Sequence, residues 1–104
     1  MILERGLQVK INQLNNEYSL VRQFAANCVY AYENKEGYGQ LSVNQSYSKD
    51  VANKIARRVK LMLENELALY YGLLADITIE NHQYNENEYF PCIKVITVYA
   101  PRSR

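Results

Sequence analysis

At 104 residues the chain has room for one domain, residues 1–104, with one modest core, and its 12 basic and 11 acidic side chains leave a net charge of only +1, which excludes an overall basic nucleic-acid coat. An apolar share of 48% and a charged share of 22% are ordinary globular values and exclude extended disorder. No apolar run approaches the roughly 20 residues of a membrane span, and Met1-Ile2-Leu3-Glu4-Arg5 lacks the basic-then-apolar order of a secretory leader, so a cytoplasmic location is expected.

The first segment carries two periods at once. Leu7-Gln8-Val9-Lys10-Ile11-Asn12 alternates strictly, as a strand does, while Leu7, Ile11, Leu14, Tyr18, Val21, Ala25, Cys28 and Tyr32 form an unbroken helical stripe. Gly6, two β-branched residues and the Asn15-Asn16 break favour the strand; one continuous helix is the alternative. Glu17 to Tyr32 then reads as an amphipathic helix, with Leu20, Val21, Phe24, Cys28, Ala31 and Tyr32 on one face and Asn15 or Asn16 as its cap. Asn34 to Tyr47, with Gly37 and Gly39, is a loop around a short strand from Gln40 to Val43.

The second half is plainer. Ser48 is a good N-cap and Asp50 sits in the first turn, where it meets the positive end of the helix dipole. Ala52, Ile55, Ala56, Val59, Met62, Leu63, Leu67, Tyr70, Leu73 and Leu74 recur at three- and four-residue steps, predicting a long amphipathic helix that ends near Leu74. Asn53, Lys54, Arg57, Arg58, Leu61, Glu64 and Asn65 fall on its opposite face. Asp76 to Glu80 alternates like a half-buried strand, Asn81 to Glu88 is a polar turn, and Tyr89 to Tyr99 is a strand stopped by Pro101. In that last strand Ile93, Val95 and Thr97 share one face, while Lys94, Ile96 and Val98 share the other. Apolar residues on both faces mark a central strand, or one whose back meets a second copy, so Ile96 and Val98 are the expected dimer contact. The fold class predicted is α+β: two amphipathic helices packed on a small, mainly antiparallel sheet that ends in a C-terminal β-hairpin.

Charge is sorted into blocks. Lys49, Lys54, Arg57, Arg58 and Lys60 stand against the single acid Asp50; from Leu61 to Phe90 there is no Lys or Arg, only Glu64, Glu66, Asp76, Glu80, Glu86 and Glu88; Lys94, Arg102 and Arg104 follow. Such asymmetry steers association with a charged partner. The expected function is therefore a small non-enzymatic protein-interaction module, with Glu80, Glu86 and Glu88 as partner contacts. Tyr and Asn, both frequent here, have AT-rich codons, which points to an AT-rich bacterium or its phage and to an accessory or inhibitory role. The alternative is nucleic-acid binding through Lys54, Arg57, Arg58 and Lys60, aided by Arg102 and Arg104.

The remaining chemistry is thin. Glu66 falls on the apolar face of the second helix, where a carboxylate must find a partner, lie at the rim or take up a proton; a structural pair is expected, a general acid or base the sharper alternative. His82, with Glu80 and Cys92 nearby in sequence, matches no zinc spacing, so no metal and no cofactor are expected. Cys28 and Cys92 lie in apolar segments and read as free buried thiols.

Overall fold

The computed structural model describes residues 2–102, with their side chains from 17 onward. The chain is a helical layer against a small antiparallel sheet, as its pattern predicts. Helix α1 spans Ile2–Asn34, strand β1 Gln40–Ser42, helix α2 Lys49–Tyr71, and strands β2 to β5 Leu74–Ile79, His82–Asn85, Glu88–Phe90 and Cys92–Tyr99. The sheet order is β1-β5-β2, with β5 in the middle and antiparallel to both neighbours; β3 and β4 form a separate hairpin.

Helix α1 runs straight through residues 7–12, where alternation favours a strand. Its backbone hydrogen bonds are all local, whereas a strand needs a partner edge, and strand preference yields to context more readily than helix preference. The deciding pattern is the stripe itself, whose later members Val21, Ala25 and Cys28 are buried in the core. Gly6 costs about 1 kcal/mol inside a helix, too little to break 33 residues of it. The helix closes with Lys35 in the left-handed region at φ 55° and with the Glu36 amide donating to the Ala31 carbonyl at 2.9 Å.

Helix α2 begins as its capping sequence dictates. The Ser48 hydroxyl accepts from the Val51 amide at 3.5 Å, and Asp50 lies in the first turn. It stops at Tyr71, three residues short of the expected end, because Gly72 takes a left-handed conformation (φ 64°) that only glycine adopts without cost. The buried face of α2, Ala52, Ile55, Ala56, Val59, Leu63 and Leu67, meets Val21, Ala25 and Cys28 of α1 and Ile77, Ile93, Val95 and Val98 of the sheet. Tyr70 and Leu74, assigned to this stripe by periodicity, are instead exposed.

Two features reshape the C-terminal strands. Pro91 has no amide to donate and splits the expected strand 89–99 into β4 and β5, while its carbonyl accepts from the Val43 amide at 2.9 Å. Further along, Asp76 pairs with Thr97 but Ile77 pairs with Val95, so Ile96 is an extra residue in β5. That bulge shifts the alternation: Val95 and Val98 both point into the core, and Ile96 is left 52% exposed. Val98, expected beside Ile96 on one exposed face, is instead buried in the core at 3% exposure, and of the two only Ile96 is exposed.

The β3–β4 hairpin is held to the loop before α2 by reciprocal backbone bonds between Tyr47 and Tyr89 at 2.9 and 2.7 Å. At its base Asn81 donates to the Asn53 side chain of α2 at 2.6 Å and accepts from the Cys92 amide at 3.1 Å, tying hairpin, sheet and helix together.

Candidate interaction surface on the paired helices

The pairing of α1 with α2 is fixed at one end by charge. Arg58 donates to both carboxylate oxygens of Glu17, through Nε at 2.9 Å and Nη2 at 2.8 Å, and Glu17 is only 3% exposed. This two-pronged geometry is the strong form of the guanidinium–carboxylate contact. Further along the same helices, Ser19, Arg22, Gln23 and Ala26 of α1 and Glu66, Tyr70 and Tyr71 of α2 line an open groove of ≈ 590 Å³. A smaller hollow of ≈ 150 Å³ adjoins it, lined by Tyr18, Met62, Asn65, Glu66, Leu69 and Tyr70. Glu66 and Tyr70 border both, so they form the wall between the two.

Glu66 is 6% exposed, as its place on the apolar face predicts. Among the described residues neither a cation within ion-pairing distance nor a hydrogen-bond donor meets its carboxylate. Its oxygens are not sealed either, since no fully enclosed side-chain oxygen among the described residues lacks a partner, and Glu66 lines both the groove and the smaller hollow. Around it stand Leu69 and Tyr70, 79% and 69% exposed, with Tyr71 and Tyr18 also exposed. Partial burial first, and the Glu66 carboxylate next, push the Tyr18 hydroxyl above its ordinary pKa; the neighbouring Tyr70 adds to this and Arg22 opposes it. The Arg22 guanidinium lies over the Tyr18 ring, 5.9 Å from its centre.

The residues singled out by charge are dispersed. Lys54 and Arg57 are exposed on α2 and form no ion pair among the described residues, but Arg58 is held by Glu17 and Lys60 is half-buried. Arg102 is exposed beyond β5, and Arg104 lies outside the described residues. Glu80 is exposed past the end of β2 and Glu86 in the hairpin turn. Glu88 is half-buried, and one of its oxygens accepts from Ser46 at 3.3 Å and from Asn85 at 3.1 Å, so it fastens the hairpin to the loop before α2. Of the acidic trio, Glu80 and Glu86 keep exposed side chains with no hydrogen bond or ion pair among the described residues, although the Glu80 charge acts on the Cys92 thiol.

Nucleophile and metal chemistry find little footing. Cys28 and Cys92 are free and buried; burial pushes the Cys28 thiol up to about 11 and raises Cys92 as well, with the Ser42 hydroxyl opposing the shift. A thiol in that state is a poor nucleophile. In the native chain, thiol titration with a disulfide reagent is expected to modify neither cysteine on the timescale that labels both in denaturant; rapid native labelling of one equivalent contradicts this burial. His82 is exposed on β3, and no cluster of three metal-ligating side chains exists among the described residues.

The sequence singles out Glu66 through helical periodicity, but not the surface around it. Tyr18 and Tyr70 carried a signal as members of apolar stripes, and Leu69 carried none, because exposure depends on how α1 and α2 cross. No helix among the described residues is long and apolar enough to cross a membrane. Comparison with protein-family models, with curated proteins and with solved structures finds no match to this chain.

Proposed function

We propose that the chain is a small non-enzymatic protein-interaction module that binds a protein partner through the outer face of α1 and α2, in an accessory or inhibitory role. The observation that supports this is the contiguity of exposed apolar and aromatic side chains, Tyr18, Leu69, Tyr70 and Tyr71, around the two hollows beside Glu66. Single exposed apolar residues are ordinary on a protein surface, but a cluster of tyrosines and leucine around concave features has the composition of an interface centre. The acidic residues enter as the field around this centre: Glu64 and Glu66 lie on the same stretch of α2, which has no Lys or Arg after Lys60. A partner with a basic segment is the complement.

Nucleic-acid binding through α2 is the second reading, and Lys54 and Arg57, exposed and without an ion pair among the described residues, favour it. Two cations are a small phosphate footprint, and their contribution falls steeply with salt.

The test is selection of a random displayed-peptide library on the full chain, with counter-selection on Leu69→Asp. Sequences that bind the native chain and not the variant, with unchanged circular dichroism, are expected. Enrichment that survives Leu69→Asp, or salt-sensitive duplex binding lost in a Lys54→Ala, Arg57→Ala double variant, contradicts the proposal.

A further inference from the structure

We infer that the small hollow beside Glu66 is a socket for one basic side chain, lysine or arginine, carried by the protein partner; this rests on the reading of the α1–α2 face as a docking surface. The first ground is electrostatic. Glu66 is more than nine-tenths buried and unpaired among the described residues, yet its oxygens are not sealed and the residue lines the hollow. A carboxylate held mostly out of water and without a partner carries a penalty that an arriving cation relieves, which favours a positive group at this place.

The second ground is the lining. Tyr18 and Tyr70 supply aromatic rings and phenol oxygens, Met62 and Leu69 supply apolar surface, and Asn65 supplies an amide. That set matches the two ends of a long basic side chain: apolar walls for its methylene stem, and π-faces with a carboxylate for its charged head. The volume, ≈ 150 Å³, suits a single side chain and not a larger ligand.

The third ground is the absence of an internal competitor. Arg22, the cation of the neighbouring groove, is engaged over the Tyr18 ring and comes no closer than ion-pairing distance to Glu66. Of the cations of α2, Lys49, Lys54 and Arg57 precede Glu66 by more than two turns of helix, Arg58 is held by Glu17, and Lys60, the nearest in sequence, forms no ion pair among the described residues. The same ring that stacks with Arg22 on one side therefore borders an acid-lined hollow that holds no cation of its own among the described residues.

The experiment uses the full isotope-labelled chain and four probes: the acetylated amides of lysine and arginine, and the neutral near-isosteres norleucine and citrulline in the same form. Saturable NMR shifts centred on Tyr18, Asn65, Glu66 and Tyr70 are expected with the cationic probes, at millimolar affinity, with the neutral probes weaker by about tenfold or more. Glu66→Gln is expected to remove the preference for charge. Equal binding of norleucine and lysine amides, absence of saturable shifts, or charge preference retained in Glu66→Gln overturns the socket. The probe comparison on the native chain decides the matter even if Glu66→Gln does not fold. Failure of the probes alongside Leu69-dependent peptide selection overturns the socket and leaves the docking surface standing; failure of both overturns the two together.

Discussion

Replacing Arg58 with alanine lowers the free energy of unfolding by about 2–3 kcal/mol, whereas Glu17→Gln costs about 1 kcal/mol. The asymmetry follows from burial. Glu17 is sealed between the helices at 3% exposure, while the Arg58 side chain is 43% exposed. Removing the arginine strands a buried carboxylate with no other cation in ion-pairing distance among the described residues, so the desolvation penalty appears; removing the charge from Glu17 frees a guanidinium that water can still solvate. Partial exposure of Arg58 keeps the expected loss below the 3–5 kcal/mol of a fully buried pair. A Glu17→Leu, Arg58→Met double variant should recover most of the stability, because apolar groups of similar size need neither charge. Urea unfolding of the four proteins gives the coupling directly. Equal losses for the two single variants would mean that the pair is solvated in solution. The result also bears on function, since an arginine committed to holding α1 on α2 is withdrawn from any phosphate-binding ridge.

The second large effect is on binding. Tyr70→Ala weakens a peptide selected on the native chain by about 30-fold or more, close to 2 kcal/mol, and changes stability by no more than about 0.5 kcal/mol. Tyr70 is the expected anchor because it borders both hollows and is 69% exposed in the free chain, so an incoming partner can desolvate a large ring that the fold itself scarcely uses. Leu61 is also exposed on α2 but lines neither hollow, so Leu61→Ala should alter affinity only a few-fold. Calorimetric titration of the peptide into the three proteins separates these expectations. Similar affinities for Tyr70→Ala and the native chain would move the contact elsewhere.

How far the sequence carries the fold depends on whether one period stands alone. Helix α2 was legible because nothing competes with its three- and four-residue spacing after Ser48; its end was not, because Leu73 and Leu74 continue the period past Gly72, whose left-handed backbone stops the helix at Tyr71. Residues 7–12 satisfy strand and helix at once, and the choice rests on the continuity of the core stripe into Val21, Ala25 and Cys28, which only packing reveals. The central place of β5 was readable from apolar residues on both faces. The bulge at Ile96 was not, because it arises from the register with β2 and has no mark in β5 alone. Long-range polar pairing was equally hidden: nothing local in Glu17 or Arg58, 41 positions apart, or in Glu88 and Ser46, announces a partner. For the candidate site, periodicity places Glu66 on the buried face, but Tyr18 and Tyr70, which frame it, fall on apolar stripes that read as core. Their exposure is a property of the α1–α2 crossing.

The most direct measurement is the footprint of a selected peptide on the isotope-labelled full chain, read as chemical-shift changes at saturation. Changes concentrated at Tyr18, Met62, Asn65, Glu66, Leu69 and Tyr70 are the predicted result. A footprint on Lys54 and Arg57, or on the hairpin at Glu80, Glu86 and Glu88, would contradict a docking surface on the paired helices.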